Sequence, residues 1–253
     1  MKKMKVKLGQ HFLADETVLQ FEADEAGVKG RSVLEIGAGD GRLTSKLLAA
    51  GAGHITAVEL DSKLARALRV KFHKPVKVVE ADFMEFDEST RVNVVAGNIP
   101  YYITSPILLK LSRMDFDRAI LCLQKEVAFR MAAPAGSGNY GRLSVFSQLC
   151  FAVEILAVVP KEAFAPMPKV DSCVISLEPT GLRLDEGRER AIGAIFSHRK
   201  KSLRNAIVDA RQELFGSPDK KAASAVAQKL KYAERKVFSL TPAEAFEVAT
   251  ELC

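Results

Sequence analysis

From Ser32 to Leu123 the chain repeats one pattern, a short β-branched run followed by a longer stretch of helical periodicity. Residues 33–36, 54–58, 76–79, 92–96 and 119–123 read as strands, and residues 43–50, 62–72 and 106–112 as the helices between them, with Thr44 and Ser62 near helix N-caps. Strands this apolar are buried on both faces, and helical crossovers join parallel neighbours. The pattern therefore predicts an α/β fold built on a mainly parallel, doubly wound sheet. Two further strand-like runs, 152–159 and 170–177, are linked by residues 160–169, which hold three prolines and no helical period. An antiparallel pair closing the sheet is the expected outcome. Beyond residue 181 the strand signal stops, and residues 186–252 read as several helices broken near 215–218 and 239–242, where Ser217 and Thr241 each precede a proline at a first helical position. A boundary is expected near Gly181, separating residues 1–181 from a small all-helical domain over 182–253.

Charge narrows the partners. Lys and Arg number 37 against 31 Asp and Glu, a net charge of +6, which favours phosphate-bearing partners without naming one. Lys2, Lys3, Lys5 and Lys7 precede the first acid, Asp15, as a basic arm, and residues 182–253 hold 14 basic against 10 acidic side chains. Gly9, Gln10, His11, Asp15 and Glu16 interrupt any signal-like run, so secretion is not expected. The most apolar run, 151–159, contains Glu154 and is too short to span a bilayer, so no membrane partner is expected. Cys122, Cys150, Cys173 and Cys253 show no metal-ligand or redox spacing. Ordinary buried thiols in a reducing cytoplasm, and no metal, are the expectation.

The sequence Glu35-Ile36-Gly37-Ala38-Gly39-Asp40-Gly41 follows a predicted strand and opens a predicted helix. Glycines there permit a sharp turn and close approach of a ligand to free helix N–H groups. The spacing is G-x-G-x-G and lacks the third glycine position of the dinucleotide fingerprint, which disfavours a nicotinamide dehydrogenase. The next strand ends at Glu59, where a carboxylate can accept from both hydroxyls of a ribose. The third ends in Glu80-Ala81-Asp82-Phe83, which brings a carboxylate within reach of an adenine amino group. Each acid alone would be an ordinary loop or cap residue; three strands delivering such groups to one edge favour a bound adenosine moiety. The fourth strand ends in Asn98-Ile99-Pro100-Tyr101. Asn-x-Pro is a common turn, but at the carboxyl edge of such a sheet an amide oxygen, a backbone carbonyl and a flat aromatic suit an exocyclic amine on a planar base.

These residues resemble the motif series of S-adenosylmethionine-dependent N6-adenine methyltransferases. The strings 7–13, 124–128, 164–172 and 196–205 add markers, and together they resemble the small-subunit ribosomal RNA adenine N6,N6-dimethyltransferases of the KsgA type over residues 5–210. The resemblance implies a Rossmann-like class I methyltransferase sheet with an antiparallel last strand. It implies that Gln10, His11 and Leu13 line the cofactor entrance, that Gly37 and Gly39 meet the methionine part, and that Glu59 and Leu60 meet the ribose. Asp82 and Phe83 would meet the adenine, and Asn98 both cofactor and target. Many relatives carry Asn at position 11; a His there still offers a ring donor. Ile99, Pro100 and Tyr101 complete the implied catalytic turn, and Phe164 would stack on the target base opposite Tyr101. Arg199, Lys200, Lys201 and Arg204, expected on one helix, would grip RNA with Lys5 and Lys7.

The implied activity is dimethylation of two adjacent adenosines in the 3′-terminal hairpin of small-subunit rRNA, or of its assembly intermediate, by a monomer. Two other readings remain: a large-subunit rRNA adenine dimethyltransferase of the antibiotic-resistance type, and a non-catalytic assembly or transcription factor on the same fold.

Overall fold

The computed structural model describes residues 11–253. The lysines at positions 5 and 7 and Gln10 lie outside the described residues. The chain forms two compact units. The first runs up to Lys125 and resumes over Ile155–Ser176; the second takes Glu126–Glu154 and Leu177–Cys253.

In chain order the elements are β1 (Phe12–Leu13), α1 (Glu16–Ala26), β2 (Ser32–Ile36), α2 (Arg42–Ala49), β3 (His54–Glu59), α3 (Ser62–Lys71), β4 (Val76–Glu80), β5 (Val94–Asn98), α4 (Thr104–Leu111) and β6 (Arg118–Gln124). Helices α5 (Lys125–Met131) and α6 (Arg142–Cys150) follow, then β7 (Phe151–Val159), β8 (Phe164–Ala165) and β9 (Ser172–Pro179). The remainder is helical: α7 (Glu186–Ser197), α8 (Leu203–Asp209), α9 (Arg211–Phe215), α10 (Lys220–Ala227) and α11 (Pro242–Leu252).

The large sheet is mixed and mostly parallel, with seven strands in the order β4-β3-β2-β5-β6-β9-β7. Strand β2 pairs in parallel with both β3 and β5, so the chain winds outward in opposite directions from β2 and β5. That reversal leaves a crevice at the carboxyl ends of these two strands, where ligands bind in open α/β sheets. Val33, Ile55, Ala57, Val94, Ala96 and Ile120 face a core shared with Leu19, Leu43 and Leu47. Strands β1 and β8 form a separate antiparallel pair, Phe12 opposite Ala165 and Leu13 opposite Phe164.

Several details differ from the sequence expectations. Helix α3 is capped by Asp61, whose carboxylate accepts from the Lys63 and Leu64 N–H groups, rather than by Ser62. Helix α2 starts after Gly41, and Thr44 lies inside it with a different partner, described below. The helix after Pro218 is capped by Asp219, not Ser217, whereas Thr241 forms a capping box with Glu244 ahead of Pro242. The expected boundary at Gly181 assigned residues 126–154 to the first domain. In the second unit, Tyr140, Val145 and Leu149 instead share one cluster with Ala191, Ile192, Phe196 and Leu240. The Tyr140 hydroxyl donates to the Leu240 carbonyl at 2.7 Å.

Residues 197–205 are not one helix. Helix α7 ends at Ser197, and α8 starts only at Leu203. The carbonyls of Arg199 and Lys201 are taken by the Phe238 and Val237 N–H groups, which holds the intervening turn open. Among the described residues, no helix is long and apolar enough to cross a membrane.

Candidate active site

The crevice at the ends of β2 and β5 opens into a cavity of about 270 Å³ in the first unit. His11, Leu13, Gly37, Gly39, Glu59, Leu60, Asp82, Phe83, Asn98, Ile99, Pro100, Tyr101 and Phe164 all line it, so the structure gathers every described cofactor and catalytic candidate around one space. Backbone geometry explains the close fit of its floor. Gly37 adopts a left-handed φ of 71°, and a side chain on Gly97 would put its Cβ 2.5 Å from the Ile36 carbonyl oxygen. Gly97 escaped the sequence reading; its signal is a lone glycine inside an apolar strand, the mark of close backbone approach.

Glu59 is 4% exposed and already tied on both oxygens. Its Oε2 accepts from the Gly39 N–H and its Oε1 from the Asp61 N–H, each at 2.8 Å. The carboxylate thus fixes the glycine turn to the end of β3 and keeps its remaining lone pairs for a ligand. Asp82 is built similarly: Oδ1 accepts from Met84 N–H at 2.8 Å, capping a short turn over Phe83–Glu85. Beneath the glycine turn, Thr44 Oγ1 donates to Glu35 Oε2 at 2.6 Å. Burial pushes the Glu35 carboxyl up to about 8, against the opposing pull of its Thr44 hydrogen bonds. Thr44 is therefore a partner of Glu35 rather than a cap.

On the other side of the cavity, Asn98 Oδ1 is buried and has no protein hydrogen-bond partner. Buried polar atoms are ordinarily paired, so this oxygen is shaped for a donor the protein does not supply. Tyr101 lies in a short turn over Tyr101–Ile103, and its hydroxyl is 2.8 Å from Ser172 Oγ. Burial raises the Tyr101 pKa, with the Ser172 hydrogen bond acting in the opposite direction. The His11 ring stacks on Tyr101 with centroids 6.2 Å apart, and its Nδ1 is 2.7 Å from the Pro166 carbonyl oxygen. Phe164 is 6% exposed, a member of the core that also lines the cavity. Ser172 carried no role in the sequence reading. It is a fully buried hydroxyl at the start of β9, directly before the apolar Cys173, Val174 and Ile175, and a polar residue ahead of such a run is the signal that could have found it.

The charge of the lining selects among ligands. Asp40, Glu59 and Asp82 line the cavity, and the one arginine among the lining residues, Arg42, is paired to Asp40 at 3.0 Å. Such a site opposes a pyrophosphate and suits an uncharged nucleoside attached to a cationic group. S-adenosylmethionine, an adenosine bearing a sulfonium and an ammonium, fits that description.

The basic residues of the second unit are placed differently from the expectation. The Arg199 guanidinium donates to the Gly138 carbonyl at 3.0 Å and to the Tyr140 carbonyl. Lys201 pairs with Asp209, and Arg204 with Glu234 at 3.2 Å. Lys200 is exposed.

A family model described as ribosomal RNA adenine dimethylase matches residues 1–234. A Methanopyrus kandleri protein named "Probable ribosomal RNA small subunit methyltransferase A" is 41% identical over 213 residues, covering 80% of this chain and 75% of its own. The crystal structure of a dimethyladenosine transferase from Plasmodium falciparum superposes with a TM-score of 0.77 at 27% identity, covering 95% of this chain and 96% of that one. That of the 23S rRNA methyltransferase ErmE gives 0.67 at 27% identity, covering 95% and 99%. The cavity that favours an adenosine-borne sulfonium and the unpartnered oxygen beside Tyr101 thus occur in a chain whose sequence and fold agree with one group of enzymes: it belongs to the ribosomal RNA adenine dimethylase family, which takes its methyl groups from S-adenosylmethionine.

Proposed function

We propose that this protein dimethylates N6 of two adjacent adenosines in the 3′-terminal hairpin of small-subunit rRNA during ribosome biogenesis. The observation that carries the reading is the buried, unpartnered Asn98 Oδ1 beside a Tyr101 ring held by Ser172. The cofactor supplies a methyl group on a sulfonium, and the protein's part is to aim a weak nucleophile at it. Adenine N6 is weak because its lone pair is delocalised into the ring. Asn98 Oδ1 and the Ile99 carbonyl accept the two N6 hydrogens and turn the lone pair out of the ring plane. Tyr101 holds the base by stacking once it has left the helix. Orientation and electrostatics then carry the rate without a strong base.

Glu59 with Leu60 receives the ribose and Asp82 with Phe83 the adenine, while Gly37 and Gly39 pass the methionine part and Gln10, His11 and Leu13 close the entrance. Phe164 forms the far wall of the base site. RNA is held through its phosphates by Lys200, Lys5, Lys7 and the exposed parts of Lys201 and Arg204, with Arg199 supporting the turn that carries Lys200 and Lys201. The enzyme acts as a monomer in the cytoplasm and uses no metal. The small-subunit target is favoured over the large-subunit one because the 41% identical relative carries the small-subunit name, whereas the structure titled as a 23S enzyme is 27% identical.

The test is methyl transfer from labelled S-adenosylmethionine to small subunits from a strain lacking the modification, followed by nucleotide mapping. Two adjacent dimethyladenosines in the 3′-terminal hairpin are expected from the wild type, formed about 10²–10³-fold more slowly by Asn98→Ala. Label confined to large-subunit rRNA, or cofactor binding with no transfer to either subunit, would overturn the proposal.

A further inference from the structure

Helix α4 carries a lysine where its pattern calls for an apolar residue. In Thr-Ser-Pro-Ile-Leu-Leu-Lys-Leu the inward positions are Thr104, Ile107, Leu108, Lys110 and Leu111, and Lys110 is 7% exposed. Lysine is almost never this buried unless its ammonium is well partnered. Here Nζ donates to the Met84 carbonyl at 2.9 Å and to the Phe86 carbonyl, and lies 5.5 Å from the Phe83 ring centroid. All three partners belong to the turn that follows β4, the segment that begins with Asp82.

We infer that Lys110 is a positioning residue for cofactor adenine recognition, clamping the Asp82–Phe86 turn to the helix that continues the Asn98–Tyr101 motif. The inference rests on the reading that Asp82 and Phe83 receive the adenine. Met84 is held at both ends of its peptide units: its N–H donates to Asp82 Oδ1 at 2.8 Å, and its carbonyl accepts from Lys110. Removing the ammonium frees two carbonyls and loosens the Phe83 ring, while Asp82 keeps only its local cap. The turn would then present Asp82 less sharply to a ligand amino group. Among the described residues no other lysine or arginine donates to these two carbonyls, and α4 starts at Thr104, directly after the cavity-lining Tyr101–Ile103 turn. One side chain therefore ties the part of the site assigned to the cofactor base to the packed helix α4.

The experiment compares S-adenosylmethionine with S-inosylmethionine, whose 6-oxo group faces the Asp82 carboxylate with an acceptor in place of a donor. Affinities and steady-state constants are measured for full-length wild type, Lys110→Met, Lys110→Arg, Asp82→Asn and the Lys110→Met/Asp82→Asn double variant. Lys110→Met is expected to raise KM for S-adenosylmethionine roughly tenfold and to cut its preference over the inosine analogue by a similar factor. Its kcat at saturating cofactor and its KM for RNA should stay within about twofold of wild type. Lys110→Arg, which keeps the charge and donors, should retain most of the preference, and it serves as the readout if Lys110→Met fails to fold. In the double variant the preference should fall no further than in Asp82→Asn alone. Unchanged preference in Lys110→Met with only a lower Tm, or additive losses in the double variant, would overturn the inference by making the lysine a stability element. A wild type that fails to discriminate the two cofactors would overturn the adenine reading of Asp82 itself, and the inference with it.

Discussion

The Tyr101 hydroxyl and Ser172 Oγ lie 2.8 Å apart across the floor of the cavity, joining the turn after β5 to the first residue of β9. The bond fixes the tilt of the ring without drawing its hydroxyl into chemistry, since burial moves that hydroxyl's pKa upward. Tyr101→Phe and Ser172→Ala should therefore lower kcat/KM by a few fold each and show little further loss when combined. Tyr101→Ala should lower it by roughly tenfold to a hundredfold, because base stacking is worth about 1–3 kcal/mol. Steady-state kinetics on small subunits decide it. A Tyr101→Phe variant as damaged as Tyr101→Ala would transfer the role from the ring to the hydroxyl.

Asn98 gives a second separation. If its Oδ1 serves mainly to orient the target amine, Asn98→Ala should lower kcat by about 10²–10³, the scale seen when one preorganised polar group is removed from a transition state. Cofactor affinity, read by calorimetry, should weaken by less than about tenfold. A variant that loses cofactor affinity in proportion to activity would show that Asn98 acts through the cofactor alone.

The sheet was legible because its signal is local and repeated: buried, β-branched-rich runs such as 33–36 and 94–96 reveal themselves within a few residues. The glycines and acids were legible for the same reason, since a turn after a strand and an acid at a strand's end are properties of short segments. What was not legible depends on partners distant in sequence. Thr44 looks like a cap until Glu35, nine residues earlier, is seen beneath it. Ser172 acquires a purpose only from Tyr101, and the cations after Phe196 looked like a helix face because nothing nearby announces that residues 237 and 238 take their carbonyls. The grouping of residues 126–154 with the second unit was not legible for the same reason. Tyr140 belongs with Leu240, and no local composition shift marks a pairing over that distance.

Arg199 and Lys200 are adjacent in sequence and should behave oppositely. Arg199 spends its guanidinium on the Gly138 and Tyr140 carbonyls, so Arg199→Ala should destabilise the protein by about 1–3 kcal/mol and lower Tm. Lys200 is exposed, so Lys200→Ala should leave Tm unchanged and weaken RNA binding with a salt slope reduced by about one. Thermal melts and RNA titrations at several salt concentrations separate the two. Lys200→Ala with unaltered affinity and slope would remove this residue from the proposed RNA grip.

Two buried acids of the first unit, Glu22 and Glu35, make its stability depend on pH. Glu22 is 2% exposed, and the Cys122 thiol is the side-chain neighbour whose hydrogen bond opposes the effect of burial on it. Burial, reinforced by neighbouring Glu35, raises its pKa from 4.5 to about 8; Glu35 is raised to a similar value, chiefly by burial. Below about pH 4.5 folded and unfolded chains both hold these protons, so the acids add no pH dependence. Between 4.5 and about 8 the folded protein keeps protons that the unfolded chain has released, and stability must fall as pH rises through that window. Each pKa unit corresponds to about 1.4 kcal/mol, so the loss is on the order of a few kcal/mol. Glu22→Gln carries no titrating proton at this site and should lose less stability than wild type between pH 5 and pH 8, with the two Tm profiles converging toward the acid end. Parallel profiles across that range would mean that Glu22 is ionised in the folded protein, and a buried cation or ordered water would then have to accompany it.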